Sequence, residues 1–311
     1  MGKFCPCSYL RAEIRELKNP TGMDWKDSVI DFHACWKKCD VPIYTIPVRR
    51  AFEENFWDLC QEAWHAPIPE NFDKHTDSDC RMKVCDWTGL DIFGVEINFA
   101  YECNAKCVFC TYTHKYNKEA EDLYYKCLND IKDQDILISL TTVGEPFFNK
   151  QKTLDYLRTL YNKEVNIVTN GTLLTVEDAE ELIRIKKERL VHLKLSISVN
   201  GASQESLTRI ENYNVDLDRL KTVIKILHEA DCIGTVSTVV VPANLSDLPK
   251  LKDFFDGISS GLSEKLHVMT NLNCTVDDAQ IVINSKEWKD YFGDKENTMF
   301  TVPKTLASGA N

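Results

Sequence analysis

The segment Tyr101-Glu-Cys103-Asn-Ala-Lys-Cys107-Val-Phe-Cys110-Thr-Tyr carries three cysteines at x3 and x2 spacing. Three thiolates so spaced on one short loop can wrap three corners of an iron–sulfur cubane. The fourth iron then stays open to a small molecule. The same stretch also permits zinc, because Cys103, Cys107, Cys110 and His114 compose a Cys3His set. The zinc reading, a non-catalytic binding protein, asks nothing of the rest of the chain. The cubane reading asks for ligand-binding turns behind later strands, and candidates occur in order: Gly144-Glu145-Pro146, Thr169-Asn170-Gly171-Thr172, Ser198-Val199-Asn200-Gly201 and Pro242-Ala243-Asn244. Glycine lets a backbone approach a ligand closely, and a carboxylate at a strand end can receive an ammonium group. Cys274 follows the last of the strands, where a thiol could donate a hydrogen atom to a substrate radical. Cys5-x-Cys7 and Cys35-x3-Cys39, with His33 nearby, could hold a second metal.

These turns must be positioned by regular elements, and the texture of the chain indicates which. From Asp91 onward, short β-branched runs alternate with helical stretches: FGVEINFAY, DILISLTT, VNIVTN, VHLKLSISV, GTVSTVVV and KLHVMTN. Six strands alternating with helices imply an α/β fold with a parallel sheet, closed or half-closed as a barrel, and chemistry at the strands' carboxyl ends. Strand parity adds that His192, Lys194, Ser196, Ser198 and Asn200 share one face, as do Glu96 and Asn98. Such a polar inner face suits a lumen that holds a polar ligand. Before this core, residues 1–90 read as a mainly helical, cysteine-dotted extension with helices at Ser8–Lys18, Trp25–Lys38 and Phe52–Trp64. Residues 91–275 form the core, and residues 276–311 a short helix at Lys286–Phe292 with a polar tail.

Composition narrows the partners. Forty-eight acidic residues against 37 basic ones give a net charge of −11, which disfavours nucleic acid, whose affinity rests on Lys and Arg at phosphates. No run approaches the length of a membrane span, and the first residues lack the apolar core of a secretory leader. Thirteen cysteines in such a chain point to a reduced, cytoplasmic protein whose thiols bind metal or do chemistry.

Over about residues 93–273 the sequence resembles the radical S-adenosylmethionine (SAM) enzymes, through Cys103, Cys107, the aromatic Phe109 and Cys110, and through the turns that follow. The resemblance implies a partial (β/α)6 barrel and a [4Fe–4S] cluster on the three cysteines. It further implies SAM on the open iron, with Phe109 beside the adenine, and a low-potential electron donor of flavodoxin or ferredoxin type. The family's Gly-Gly-Glu stretch, which contacts the methionine ammonium, maps to Val143-Gly144-Glu145, with the first glycine absent. Its Ser-x-Asp-Gly turn maps to Ser198-Val199-Asn200-Gly201, with Asn for Asp. Where relatives place an arginine for the SAM carboxylate, this chain has Glu211, and Arg209 lies two residues earlier. TNGTLLT, SVNGASQES and VVVPANLSDL are most similar to the branch that modifies peptides and proteins. That branch usually adds a C-terminal cysteine-rich domain; with only Cys274 after Asn273, the expectation is that this domain is missing or that its role falls to the N-terminal cysteines. The implied substrate is a peptide or protein, with a small metabolite as the alternative.

Overall fold

A computed structural model describes residues 9–15, 28–34, 44–67, 91–99, 102–110, 117–141, 143–270 and 276–292. It divides into two compact units. The first comprises Met1–Glu102, His114–Val168 and Ile185–Leu193; the second comprises Cys103–Thr113, Thr169–Arg184 and Lys194–Asn311.

The first unit is built on strands β1 (Tyr9–Arg15), β2 (Val29–Ala34), β3 (Tyr44–Pro47), β4 (Gly94–Asn98), β5 (Leu137–Leu140) and β6 (Glu164–Thr169). Their order is β3-β2-β1-β4-β5-β6. β4, β5 and β6 run parallel, as the strand–helix alternation requires. β1 joins them parallel to β4, while β2 and β3 return antiparallel. This corrects the expectation of a mainly helical extension, since the helices read at Ser8–Lys18 and Trp25–Lys38 are strands in the described parts. The physical reason is a period of two: Leu10 and Ala12 in β1, and Ile30 and Phe32 in β2, are fully buried, while their neighbours turn to the other face. Charged residues at alternate positions mimic a helical stripe over so short a window.

Helices α1 (Val48–Glu53) and α2 (Phe56–Trp64) occupy the third helical stretch, which breaks in two at Glu54. Asn55 caps α2 by accepting from the Trp57 N–H, and Phe56, Leu59, Cys60, Ala63 and Trp64 fill its buried stripe. Asn117 likewise caps α3 (Lys118–Ile131), accepting from Glu119 and Ala120. Helix α4 (Lys150–Thr159) is tied to α3 by the buried Glu121, which accepts from Asn149 Nδ2 at 2.9 Å and Lys152 Nζ at 2.7 Å. The core holds an aromatic chain, with Phe32 stacked on Phe56 at 5.9 Å and Phe56 edge-on to Phe99 at 6.5 Å.

The opposite face of this sheet is polar. Register sets His33, Arg11, Glu96, Ser139 and Asn166 side by side across five strands. In the next row Asp31, Glu13 and Asn98 are neighbours. Part of it is a closed network: Asp31 accepts from Arg15 Nε at 2.5 Å and from Thr45 Oγ1 at 2.7 Å. Glu96, at 3% exposure, has its pKa raised to about 7. Burial is the main cause, only partly offset by the Arg11 charge and the nearby Thr141 hydroxyl.

The second unit carries parallel strands β7 (His192–Ser198), β8 (Ile233–Val240) and β9 (Leu266–Thr270), in that order. Leu195 and Ile197 are fully buried while Ser196 and Ser198 take the other face, as parity required. Around them lie α6 (Gln204–Glu211), α7 (Leu217–Glu229), a 3₁₀ segment (Pro242–Lys250), α8 (Leu251–Ile258), α9 (Val276–Asn284) and α10 (Lys286–Phe292). Between β6 and β7 the chain forms α5 (Val176–Arg189). In neither unit do the described strands pair into a closed ring, which agrees with a partial rather than a complete barrel. No helix among the described residues is long and apolar enough to cross a membrane.

Replacing Phe32 by Ala removes the ring between Tyr44 and Phe56 and is expected to cost about 3–5 kcal/mol in chemical denaturation. Glu96 gives the fold a pH signature. Its folded pKa lies above its unfolded value, so its favourable contribution is complete below about pH 4.5 and is lost as pH rises through about 7. Glu96→Gln is expected to remove about 3 kcal/mol of that fall, read from stability measured between acid and mildly alkaline pH.

Candidate iron–sulfur and SAM site

The cysteine segment Cys103–Cys110 has no helix or strand of its own, so its backbone groups need partners elsewhere. Helix α6 supplies them. The last carbonyls of a helix have no partner within it. Here the Glu211 carbonyl accepts from Lys106 N–H at 2.8 Å and the Ile210 carbonyl from Val108 N–H at 2.9 Å. The Cys110 N–H closes a turn onto the Cys107 carbonyl at 2.9 Å. Helix α6 is itself set by Ser203, whose hydroxyl accepts from Ser206 N–H.

A second anchor comes from the turn after β6. Asn170 Nδ2 donates to Asn104 Oδ1 at 3.1 Å, and Asn104 Nδ2 donates to Thr172 Oγ1 at 2.8 Å. Asn170 Oδ1 in turn accepts from the Thr172 N–H at 2.9 Å and its hydroxyl at 2.7 Å. The turn is possible because Gly171 sits at φ +68° with Ile197 and Leu220 crowding the place of a side chain. From this turn Asn170 Nδ2 reaches Cys103 Sγ at 3.9 Å, a donor aimed at a sulfur.

The three thiols are half-buried. The Cys107 pKa is raised, first by burial, then by the Glu211 carboxylate, then by Cys103 and Cys110. Cys107 therefore feels the other two thiols, and ionising it calls for positive charge beside it. A cluster with an iron at each sulfur supplies it, so the donor set fits a cubane bound through three corners. No three His, Cys, Asp or Glu side chains among the described residues converge as ligands of a single ion. His114, the fourth ligand of the zinc alternative, lies outside the described residues, as do Cys274 and the cysteines at 5, 7, 35, 39, 80 and 85. Cys60, Cys127 and Cys232 are buried, and burial pushes the Cys60 and Cys127 thiols well up, so these act as small apolar residues.

The remaining sequence-derived residues separate by what they touch. Phe109 lies in the cysteine loop, half-buried between two of the thiols in sequence. In the second unit, Asn200 is buried and its side chain is committed: Oδ1 accepts from Val239 N–H at 3.0 Å, and Nδ2 donates to Glu211 Oε1 at 3.4 Å. Gly201 is required beside it, since a Cβ there would meet Ser206 Oγ at 2.3 Å. Ser198 Oγ lies 3.3 Å from Ser237 Oγ on the adjacent strand. Arg209 turns to the 3₁₀ segment, donating to the Ala243 carbonyl at 2.8 Å, with Glu205 at 3.8 Å. Glu211, not Arg209, is the buried charge beside the loop, at 1% exposure. In the first unit, Gly144 and Glu145 form the turn after β5. The Glu145 N–H donates to the Glu102 carbonyl at 3.1 Å, and its buried carboxylate accepts from Phe147 N–H at 3.0 Å.

Sequence reasoning missed Asn104 as a loop anchor. Its only signal was an amide between two cysteines, a residue type common in turns. Asn170→Ala removes the amide that joins the turn to the loop and to Cys103. It is expected to cost about 2 kcal/mol in denaturation and to speed iron loss to a chelator several-fold.

Residues 97–255 match the radical SAM superfamily. A probable dual-specificity RNA methyltransferase RlmN of Staphylococcus epidermidis is 24% identical over 220 residues, covering 66% of this chain and 56% of that protein. This chain thus spans little more than half the length of the curated relatives it matches. Among solved structures, native anSMEcpe with bound AdoMet and Cp18Cys peptide is similar at 18% identity and TM-score 0.39, over 58% of this chain and 51% of that one. Streptococcus suis SuiB bound to precursor peptide SuiA is similar at 16% identity and TM-score 0.43, over 79% and 60%. The matched span covers more than half of the 311 residues, and it includes the three-thiol loop and the turns after the strands: the chain belongs to the radical SAM superfamily, enzymes that use a [4Fe–4S] cluster and S-adenosylmethionine.

Proposed function

We propose that this chain cleaves SAM reductively and abstracts hydrogen from a peptide or protein substrate. The observation that carries the reading is the loop of three half-buried thiols docked on the carboxyl end of α6 and on the Asn170 turn. When bound, the cluster and SAM supply one-electron cleavage of a sulfonium and a carbon radical that takes a hydrogen atom from substrate.

Cys103, Cys107 and Cys110 hold three corners of the cluster. Asn170 donates toward Cys103 Sγ, and hydrogen bonds to sulfur are one of the levers that set a cluster's potential. Glu211 works in the other direction, since a buried negative charge beside Cys107 disfavours adding an electron. By the resemblance, Gly144 and Glu145 of the first unit are the counterparts of the family's stretch that contacts the methionine ammonium. Ser198 offers its hydroxyl, paired with that of Ser237, to a bound nucleoside.

The substrate assignment rests on the similarity of the turns to the peptide-modifying branch. The net charge of −11 speaks against the RNA substrate named for the Staphylococcus relative. A low-potential flavodoxin or ferredoxin as electron donor, and a reducing compartment such as the cytoplasm, suit a cluster with an open iron.

Anaerobic reconstitution with iron and sulfide, followed by dithionite and SAM, tests the reading. Wild-type protein is expected to form 5′-deoxyadenosine, with about four irons per chain, and Cys107→Ala to form none. A colourless, zinc-loaded protein that yields no 5′-deoxyadenosine would overturn it.

A further inference from the structure

Helix α7 of the second unit opens with a cation in its first turn. Asp216 caps it, accepting from the Arg219 N–H at 3.1 Å. A positive side chain at this place meets the positive end of the helix dipole, and a capping box would carry an acceptor such as Glu there instead. Helix propensity therefore gives no reason for Arg219. Its guanidinium does: Nη2 donates to the Thr172 carbonyl at 2.8 Å, in the turn after β6.

Thr172 is the hub of that turn. Its N–H and hydroxyl both donate to Asn170 Oδ1, at 2.9 and 2.7 Å, and the hydroxyl accepts from Asn104 Nδ2 at 2.8 Å. With the carbonyl taken by Arg219, the N–H, the carbonyl and the hydroxyl of Thr172 are all engaged. An amide carries its acceptor on one side and its donors on the other. Because Thr172 occupies Asn170 Oδ1, Asn170 Nδ2 turns to Asn104 Oδ1 at 3.1 Å and to Cys103 Sγ at 3.9 Å. Helix α7 backs the same turn a second time, since Leu220, at 2% exposure, stands 3.1 Å from where a Cβ on Gly171 would lie. The packing is neutral, whereas the bond from Arg219 is charge-assisted and roughly twice as strong as a neutral one. All of these residues belong to the second unit.

We propose that Arg219 is a positioning residue for the cluster: by holding the Thr172 carbonyl it fixes the turn that aims the Asn170 amide at Cys103 Sγ. This deepens the reading above and rests on it for the cluster itself. A donor at a ligand sulfur favours the reduced cluster, which carries one more negative charge. Loosening the turn therefore lowers the reduction potential and frees the Cys103 corner. Removing a positive charge near a cluster has the same sign, but that effect does not pass through Asn170. Coupling between Arg219 and Asn170 separates the two.

The full chain, reconstituted anaerobically with iron and sulfide and kept free of SAM, is titrated with dithionite while electron paramagnetic resonance follows the reduced cluster. Arg219→Met, which keeps the apolar stem and removes the donors, is expected to lower the midpoint potential in the same direction as Asn170→Ala and by no more. It is also expected to speed iron loss to a chelator several-fold. The double variant is expected to have the potential of Asn170→Ala alone, because residues acting through one contact are not additive. An Arg219→Met or Asn170→Ala potential equal to wild type, or fully additive shifts in the double variant, would overturn the assignment. If Arg219→Met does not fold by circular dichroism, Arg219→Gln takes its place in the same cycle, its amide ending two bonds short of the nitrogen used here. Iron content of the wild type reads the cluster separately. A wild type that takes up no cluster overturns both readings, whereas a loaded wild type with no Arg219 effect overturns this one alone.

Discussion

A loop that carries three thiols and has no helix or strand of its own pairs few of its backbone groups internally, and this constraint governs the second unit. Its backbone N–H groups need acceptors at fixed positions. The orphan carbonyls at the end of α6 are such acceptors, already aligned by the helix. Everything that fixes α6 therefore fixes the cysteines: the Ser203 cap, the close approach that only Gly201 permits, and Asn200 bridging to Glu211. The Asn104–Asn170–Thr172 amide and hydroxyl chain holds the loop from its other end. The sequence motif specifies ligands, but these contacts specify where the ligands stand.

The first unit shows a different economy. One face of its sheet is an apolar core closed by Phe32, Phe56 and Phe99, and the other is a covered polar surface. In most domains a covered face is apolar, because polar groups lose water on burial and must find partners. Here Asp31 finds them in Arg15 and Thr45, whereas Glu96 has only the Arg11 charge and the Thr141 hydroxyl to offset its burial. Stability alone would replace such residues with apolar ones of similar volume.

Legibility in the sequence followed the range of the interactions involved. The six strands of the alternating region, and the parity of β7, stood out because period-two burial over several residues is a local pattern. The N-terminal strands were misread as helices. β1 and β2 are short, and their charged residues Arg11, Glu13 and Asp31 are accommodated by cross-strand neighbours rather than by solvent. Those neighbours are distant in sequence: β1 lies beside β4, more than eighty residues away. Arg209 is the corresponding case in the site. It lies two residues before the position where relatives place an arginine, and the Ala243 carbonyl holds it, while Glu211 at that position is buried.

The sequence by itself determined the three-thiol motif and the class of chemistry, because thiol spacing on one loop is a property of contiguous residues and needs no partner to be read. It also determined the alternation of strand and helix, since periodicity is local. Only the tertiary structure decided that α6 carries the cysteine loop, that Asn170 aims at Cys103, that Asn200 and Arg209 are held by protein partners, and that Glu96 is buried. Each of these depends on which distant groups share a desolvated space. That is settled by the packing of elements against one another, which no stretch of sequence contains.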